Sequence, residues 1–332
     1  MKNLFLIKIT MRKAYSMIEV SLIILIIGIL FAGAYQGFHI YNQTHLASAR
    51  TLSQNSIVGR LQSMAFWYET TFENSFQDGE GLDGKTISVW LDRNNQQITK
   101  FNAYSAQKSD SAKFNYEANN ITDVSGPTFV SNGIGGLPSL SFKNTNSSSK
   151  FLVVDPGLKY GKDNITIFAV ARFKNFENNA VIFDRVCLKN SGSPTVDNAL
   201  AINSCKPEFS GKINTLGILN LAIQNNDGSI SKATQDIYSP LRKDVPYILT
   251  FERLYNKSIS LYFNGKLKST INENLEEINF LPLKIGRNAK DQNANSEFDL
   301  SEIIMVYGTL KPQHKIDVEN YLSKKYSIKI ER

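Results

Sequence analysis

From Val20 to Ala49 the chain carries no Asp, Glu, Lys or Arg. The first half of that stretch, Val20–Ala34, reads VSLIILIIGILFAGA and is almost wholly apolar; with the milder flank to Tyr41 it is long enough to cross a bilayer as one helix. Lys8, Arg12 and Lys13 precede it, so the positive-inside bias places the N-terminus in the cytoplasm and everything later across the membrane. A cleaved signal peptide would end in a small-residue site after the apolar run. Instead, Ile57, Val58, Leu61, Met64, Ala65, Tyr68 and Phe72 recur at three- and four-residue spacing, and no proline occurs before Pro127. The pattern predicts one continuous helix from about Tyr15 to about Phe72, roughly 85 Å long, weakened only by Gly28, Gly33, Gly37 and Gly59.

The formal charge of +7 has a local origin. Lys2, Lys8, Arg12 and Lys13 lie in the first fourteen residues without an acidic neighbour, and the remainder holds 33 basic against 30 acidic residues. The body lacks basic runs interleaved with aromatics, which argues against a nucleic-acid partner. Cys187 and Cys205 are the only cysteines, too few for a zinc site alone. In an exported domain they could close a short disulfide loop contributing about 3 kcal/mol; two buried free thiols are the alternative.

Glu19 stands at the edge of the apolar run. An unpaired carboxylate costs roughly 2.5–3.5 kcal/mol at the bilayer centre and less near the edge, so it either reaches the interface or finds a cation. The segment Ala14-Tyr15-Ser16-Met17-Ile18-Glu19-Val20, leading into the apolar run with Gly28-Ile29-Leu30 inside it, resembles the N-terminal signature of type IV pilins and pseudopilins. That resemblance implies cleavage between Ala14 and Tyr15 by a prepilin peptidase and methylation of the new Tyr15 amine. It makes Glu19 the fifth residue of the mature chain. It further implies that the amine of one subunit pairs with the glutamate of another inside a bundle of apolar helices. Burial makes an unpaired charge costly there, so the pair sets register. Two departures point to a minor rather than a major subunit: Ala14 replaces the usual glycine before the cut, and Gln36 stands where major pilins commonly have proline. Met11 as the start would leave a much shorter leader than Met1.

Residues 74–85 (NSFQDGEGLDGK) read as a linker. Within them Gly79-Glu80-Gly81-Leu82-Asp83-Gly84 matches G-x-G-x-x-G, yet it follows a helix rather than a strand, and Glu80 and Asp83 would repel phosphate. Beyond Thr86 the pattern turns to strands: Thr166–Phe173, Ala180–Phe183, Leu216–Ile223, Tyr247–Glu252, Ser258–Phe263 and Phe298–Tyr307. Asn264-Gly265 predicts a hairpin from Ser258–Phe263 into Lys266–Ile271. A short final helix follows, with Pro312 in its first turn and Val318, Tyr321 and Leu322 on its apolar face. Many antiparallel strands without intervening helices predict a two-sheet β-sandwich. The expected organisation is therefore a leader (1–14), a helix (15–73, membrane-spanning over about 20–41), a linker (74–85) and a mainly β jelly-roll domain (86–330).

Six segments in order carry a second resemblance: Val89–Asp92, Asn132–Phe142, Thr166–Val170, Leu261–Gly265, Ser301–Tyr307 and Glu319–Tyr326. Together they resemble the concanavalin A-like lectin/glucanase superfamily, laminin-G-like domains included. Such domains often bind carbohydrate or protein surfaces, sometimes with calcium, and the fold alone establishes no ligand. Asp92, Asp184 and Asp227 offer the oxygen chemistry calcium needs but lack loop-like spacing, so they read as solvated surface carboxylates. Glu297-Phe298-Asp299-Leu300-Ser301-Glu302 matches the E-x-D-x-x-E strand of laminarinase-like glycosidases. Strand alternation puts Glu297 and Asp299 on one face, and Glu302 joins them only through a bulge. A retaining enzyme needs its two carboxyls about 5–5.5 Å apart. Glu302 also belongs to the terminal SEIIMVY segment shared by non-catalytic members, and no other common catalytic motif occurs, so a non-enzymatic reading is preferred.

The two resemblances together imply a minor pilin or pilin-like subunit, anchored in a bacterial inner membrane before assembly. It would then enter a periplasmic or cell-surface filament that displays a lectin-like domain for adhesion or recognition. Its partners would be the peptidase, other pilin or pseudopilin subunits, and a carbohydrate or protein ligand. A pseudopilin of a type II secretion system is the alternative; a membrane-anchored glycosidase is the third reading.

Overall fold

A computed structural model describes residues 16–105, 123–145, 148–155, 164–175, 180–185, 210–213, 219–224, 230–233, 241–255, 257–272, 283–286 and 296–332. Ala14, Tyr15, Cys187, Cys205 and Asp227 lie outside the described residues, as does the side chain of Asp184. The chain divides into two compact units, Met1–Ala47 and Ser48–Arg332.

Helix α1 spans Met17–Gln54 and so ends well before Phe72. A 3-10 turn at Val58–Arg60 follows it, and then strand β1, Met64–Glu69. The three- and four-residue spacing that predicted helix here belongs to a strand buried on both faces. Phe66 and Tyr68 enter the main core, while Trp67 and Glu69 are buried on the other side. A short apolar run buried on both sides has no period to distinguish it from a helix face. Aromatic residues also favour the pleated surface.

The predicted linker is folded as well. Phe76 is buried, Gly84 N–H donates to Phe129 O at 2.9 Å, and Asp83 accepts from Ser131 N–H at 2.7 Å. The Ser131 backbone bond holds the Asp83 carboxyl below its usual range. Glu80 accepts from Ser88 N–H at 3.1 Å, so both carboxylates of the glycine-rich loop serve the loop itself.

The remaining strands follow in order. They are β2 Val89–Trp90, β3 Asn102–Tyr104, β4 Asp123–Ser125, β5 Thr128–Val130, β6 Ser139–Asn144 and β7 Ser148–Lys150. Then come β8 Leu152–Asp155, β9 Ile165–Asn175, β10 Ala180–Arg185, β11 Ser210–Ile213, β12 Leu219–Gln224 and β13 Ile230–Ala233. The last are β14 Pro246–Leu254, β15 Ser258–Phe263, β16 Lys266–Asn272, β17 Leu283–Ile285 and β18 Ser296–Tyr307, before helix α2 at Pro312–Tyr326. One eight-stranded sheet runs β16-β15-β14-β9-β18-β6-β5, with β1 added beside β18. The other runs β13-β12-β11-β10-β17-β8-β3-β2. All pairings within these sheets are antiparallel; β4 and β7 form a small parallel pair. The architecture is a β-sandwich with a long N-terminal helix and a short C-terminal one.

The main core lies between the sheets. Leu249 and Ile303 flank Ala169, and Phe251 and Met305 flank Ile167, so rows of apolar side chains cross β14, β9 and β18 in register. Trp90, Val154, Phe183 and Ile285 meet them from the second sheet. A smaller buried layer covers the first sheet's outer face, where Phe168, Val170, Ile248 and Ile304 lie with Val318, Leu322 and Tyr326 of α2. Pro312 starts α2 where its missing N–H costs nothing, and Ser327, left-handed at φ 55°, ends it. The Asn264-Gly265 hairpin forms as its sequence requires, with φ of 49° and 82° at the two turn residues.

Candidate functional site

The feature that most distinguishes the first unit is the surface of α1. Sixteen large apolar side chains between Met17 and Tyr41 are exposed, among them six consecutive ones from Leu22 to Ile27. Successive helical residues rotate by about 100°, so six in a row cover every side of the rod. By length and composition this helix can cross a membrane.

Glu19 lies in the first turn of α1 and closes a capping box that sequence inspection for charge alone overlooked. The Ser16-Met17-Ile18-Glu19 spacing is S-x-x-E. Ser16 N–H donates to Glu19 Oε2 at 2.9 Å, and Ile18 N–H donates to Ser16 Oγ at 3.3 Å. The carboxylate thus satisfies an orphan donor and stands at the positive end of the helix dipole.

In the second unit, the predicted acidic trio is brought to one face. The register of β18 against β9 slips between Leu300 and Glu302, leaving Ser301 as the extra residue of a bulge. Phe298, Leu300, Ile303 and Met305 point into the core, so Glu302 turns outward with Glu297 and Asp299. That supplies the shared face of the glycosidase reading, but the carboxylates are committed elsewhere. Asp299 is fully buried; Arg172 donates to its Oδ2 through Nε at 3.1 Å and Nη2 at 2.5 Å. Lys174 Nζ lies 2.9 Å from Asp299 Oδ1, out of hydrogen-bond alignment, and 3.5 Å from Glu297.

Glu302 is sealed. Its Oε1 accepts from Trp67 Nε1 at 2.7 Å and from Tyr321 OH at 2.8 Å. Its Oε2 accepts from Lys325 Nζ at 2.9 Å and from Tyr326 OH at 3.0 Å. Lys325 also donates to Glu69 Oε1 and, at 2.8 Å, to Ser53 Oγ; no side chain of the Lys325–Glu69–Glu302 triad is accessible to water. One ammonium therefore faces two buried carboxylates. Burial raises the Glu302 carboxyl above its usual range; Lys325 opposes the rise and the Glu69 charge adds to it. Burial, reinforced by the adjacent carboxylates, also pushes the Tyr321 and Tyr326 hydroxyls well above the ordinary tyrosine value, so they remain donors. The triad joins β1, β18, α2 and the last turn of α1 into one polar clasp. A substrate cannot reach Glu302 without dismantling it. Lys325 and Glu69 are far apart in the sequence, and no local pattern linked them.

Asp92 is also corrected. It is 6% exposed rather than a solvated surface group. Its carboxylate accepts from the backbone N–H groups of Trp67 at 3.0 Å, Asn94 at 2.9 Å and Phe101 at 3.2 Å, which ties β1 to the segment after β2. Burial raises its carboxyl above the usual range, against the pull of these three bonds. Among the described residues, no three His, Cys, Asp or Glu side chains gather to hold a metal ion.

No family model matches the chain, and no curated protein matches it. Among solved structures, the binding domain of Paraclostridial Mosquitocidal Protein 1 aligns with 79% of this chain at 15% identity and a TM-score of 0.48. The botulinum neurotoxin serotype D binding domain aligns with 79% at 13% identity and a TM-score of 0.48. A serotype D ligand binding domain in complex with N-acetylneuraminic acid aligns with 78% at 14% identity and a TM-score of 0.45. This chain spans about half the length of each, 52%, 51% and 50%. Likenesses this distant carry neither ligand nor partner to it.

Proposed function

We propose that the chain is a filament subunit of the type IV pilin class, held in a bacterial inner membrane by α1 before assembly and presenting its β-sandwich as a binding module outside the cytoplasm. The observation that carries this reading is the uncharged rod of α1, exposed on every side. Burying one large aliphatic side chain is worth about 1.5–3 kcal/mol, so sixteen of them cannot rest in water. A single groove on another protein would cover only one stripe. Lipid, or a ring of like helices, covers the whole circumference, and a pilin-type subunit exchanges the first for the second.

Glu19 is the one acidic group bordering that rod, and its position matches the fifth residue of a chain cut before Tyr15. In the assembled bundle its carboxylate would meet the Tyr15 amine of a neighbouring subunit, and low dielectric would penalise any register that left either unpaired. Co-expression with a prepilin peptidase should give a product that starts at Tyr15 and carries a methylated amine, read by N-terminal sequencing and mass. A chain of unchanged length, or one cut after the apolar run, refutes the proposal. The capping box supplies a discriminating pair of variants. Glu19→Gln keeps an acceptor for Ser16 N–H but loses the charge, whereas Glu19→Ala loses both. Both should fail to enter filaments while the sandwich stays folded. Normal incorporation of Glu19→Gln would assign Glu19 to helix capping alone.

A further inference from the structure

A groove of about 1050 Å³ opens in the second unit between the end of α1, the 3-10 turn after it, and the segments following β1 and β2. Its volume is that of a ligand site rather than a packing defect. Arg50, Arg60 and Arg93 line it, against a single carboxylate, Glu73. Glu73 is already matched: Arg50 Nη1 donates to it at 3.0 Å, and Arg50 Nε donates to Thr71 O at 2.7 Å. Two guanidiniums are left over. Arg60 is exposed and its side chain has no partner among the described residues. Arg93 lies over the Phe72 ring at 4.9 Å; its Nε is buried without a hydrogen-bond partner among the described residues. Stacking on the ring holds the guanidinium flat for a two-oxygen partner.

We propose that this groove is a docking site for an acidic peptide segment of a partner protein, with Arg93 and Arg60 taking its carboxylates. The side-chain amides of Gln54, Asn55, Asn74 and Asn95 also line the groove and offer donors and acceptors to an extended backbone. A sugar would need an open aromatic face. Here Arg93 covers a face of Phe72, and Trp67 is 6% exposed with its indole N–H held by Glu302. One face of Phe72 and the Trp67 indole are therefore taken, and charge is the groove's main offering. The site deepens the reading of the sandwich as a binding module and rests on that part of it alone, since neither cleavage nor assembly of α1 enters the geometry.

The test uses the full chain in nonionic detergent micelles and fluorescence anisotropy of a labelled short peptide alternating Glu and Ser, compared with the same peptide carrying Gln for Glu. The acidic peptide should bind, and the Gln peptide should bind at least about tenfold more weakly, as charge-assisted contacts require. Raising salt toward 1 M, where screening acts within about 3 Å, should weaken the acidic peptide. Arg93→Gln should weaken it about tenfold with unchanged tryptophan fluorescence. Arg60→Gln, on an exposed turn, gives the same reading should the first variant unfold. Equal binding of the two peptides, or full binding by folded variants, overturns the proposal. So does a preference for a charge-matched oligoglucuronate over the acidic peptide, because the ligand is then an acidic saccharide. Peptide binding by a chain that is never cut at Tyr15 would leave the groove standing and remove the filament reading; cleavage without binding would do the reverse.

Discussion

Replacing Lys325 with Met tests the polar clasp. The methionine approximates the lysine stem in volume but brings no charge to the two buried carboxylates. Removing one partner of a buried ion pair costs about 3–5 kcal/mol, and Glu69 and Glu302 would then repel one another without a cation between them. The loss is a large part of the roughly 5–15 kcal/mol that holds an ordinary domain folded. Its dependence on pH has a definite sign. In the variant Glu302 loses the cation that opposes its rise, so its folded pKa climbs further above the ordinary 4.5. The folded state then binds more protons than the unfolded one, and stability falls as pH rises above that ordinary value. For that one carboxyl the slope reaches at most about 1.4 kcal/mol per pH unit. The native protein should show the same sign with a shallower slope, since Glu302 is already raised. Urea unfolding of the full chain in nonionic detergent, followed by tryptophan fluorescence, measures this directly, because Trp67 donates to Glu302. We expect Lys325→Met to lose at least about 3 kcal/mol at neutral pH and to recover most of it on acidification to about pH 5. Adding Glu69→Gln and Glu302→Gln should bring it back to within about 1–2 kcal/mol of the native protein, since complete neutral replacements of buried ion pairs are tolerated. A loss that is the same at both pH values, or one below about 1 kcal/mol, would refute the electrostatic account.

Asp92→Ala should cost at least about 3 kcal/mol in the same unfolding assay, because three backbone N–H groups lose their acceptor at once. Gly126→Ala should be more damaging than Gly265→Ala. A Cβ at Gly126 would lie 1.7 Å from Ile87 O, which only backbone movement relieves, and should cost about 3 kcal/mol or more. At Gly265, φ is +82° and a Cβ meets Ile330 Cγ2 at 3.1 Å and Glu319 Oε2 at 3.2 Å, ends of side chains that can give way, so about 1–2 kcal/mol is expected. The Tyr15 start and the shared assembly defect of Glu19→Gln and Glu19→Ala complete the set on the helix, and selective loss of acidic-peptide binding in Arg93→Gln completes it on the groove.

Where reading the chain succeeded, the deciding interactions were local. Asn264-Gly265 between alternating Ile259, Leu261 and Phe263 and the returning strand specifies a hairpin through backbone preferences within a few residues. Pro312, with Val318, Tyr321 and Leu322 following at helical spacing, specifies α2 in the same way. Met64–Glu69 failed because a strand buried on both faces shows no alternation, and its apolar residues happen also to fit a helical stripe. The Gly-rich stretch 74–85 looked like a linker because its anchors, Ser88, Phe129 and Ser131, are contributed by residues beyond it.

The uncharged rod with a lone glutamate at its edge, the run of strands and the closing helix are all present in the one-dimensional order of residues, because backbone geometry and the aversion of apolar surface to water act on neighbours. The sense of a side chain across a sheet is different in kind. A single extra residue at Ser301 reverses it for Glu302, and whether that carboxylate becomes an exposed acid or one arm of a buried clasp depends on Lys325, Glu69 and Trp67 arriving from other elements. The same holds for Arg93, whose stacking on Phe72 and unmet N–H exist only once β1 and the segment after β2 lie together. Burial sets the worth of a charge, and burial is a property of the packed chain.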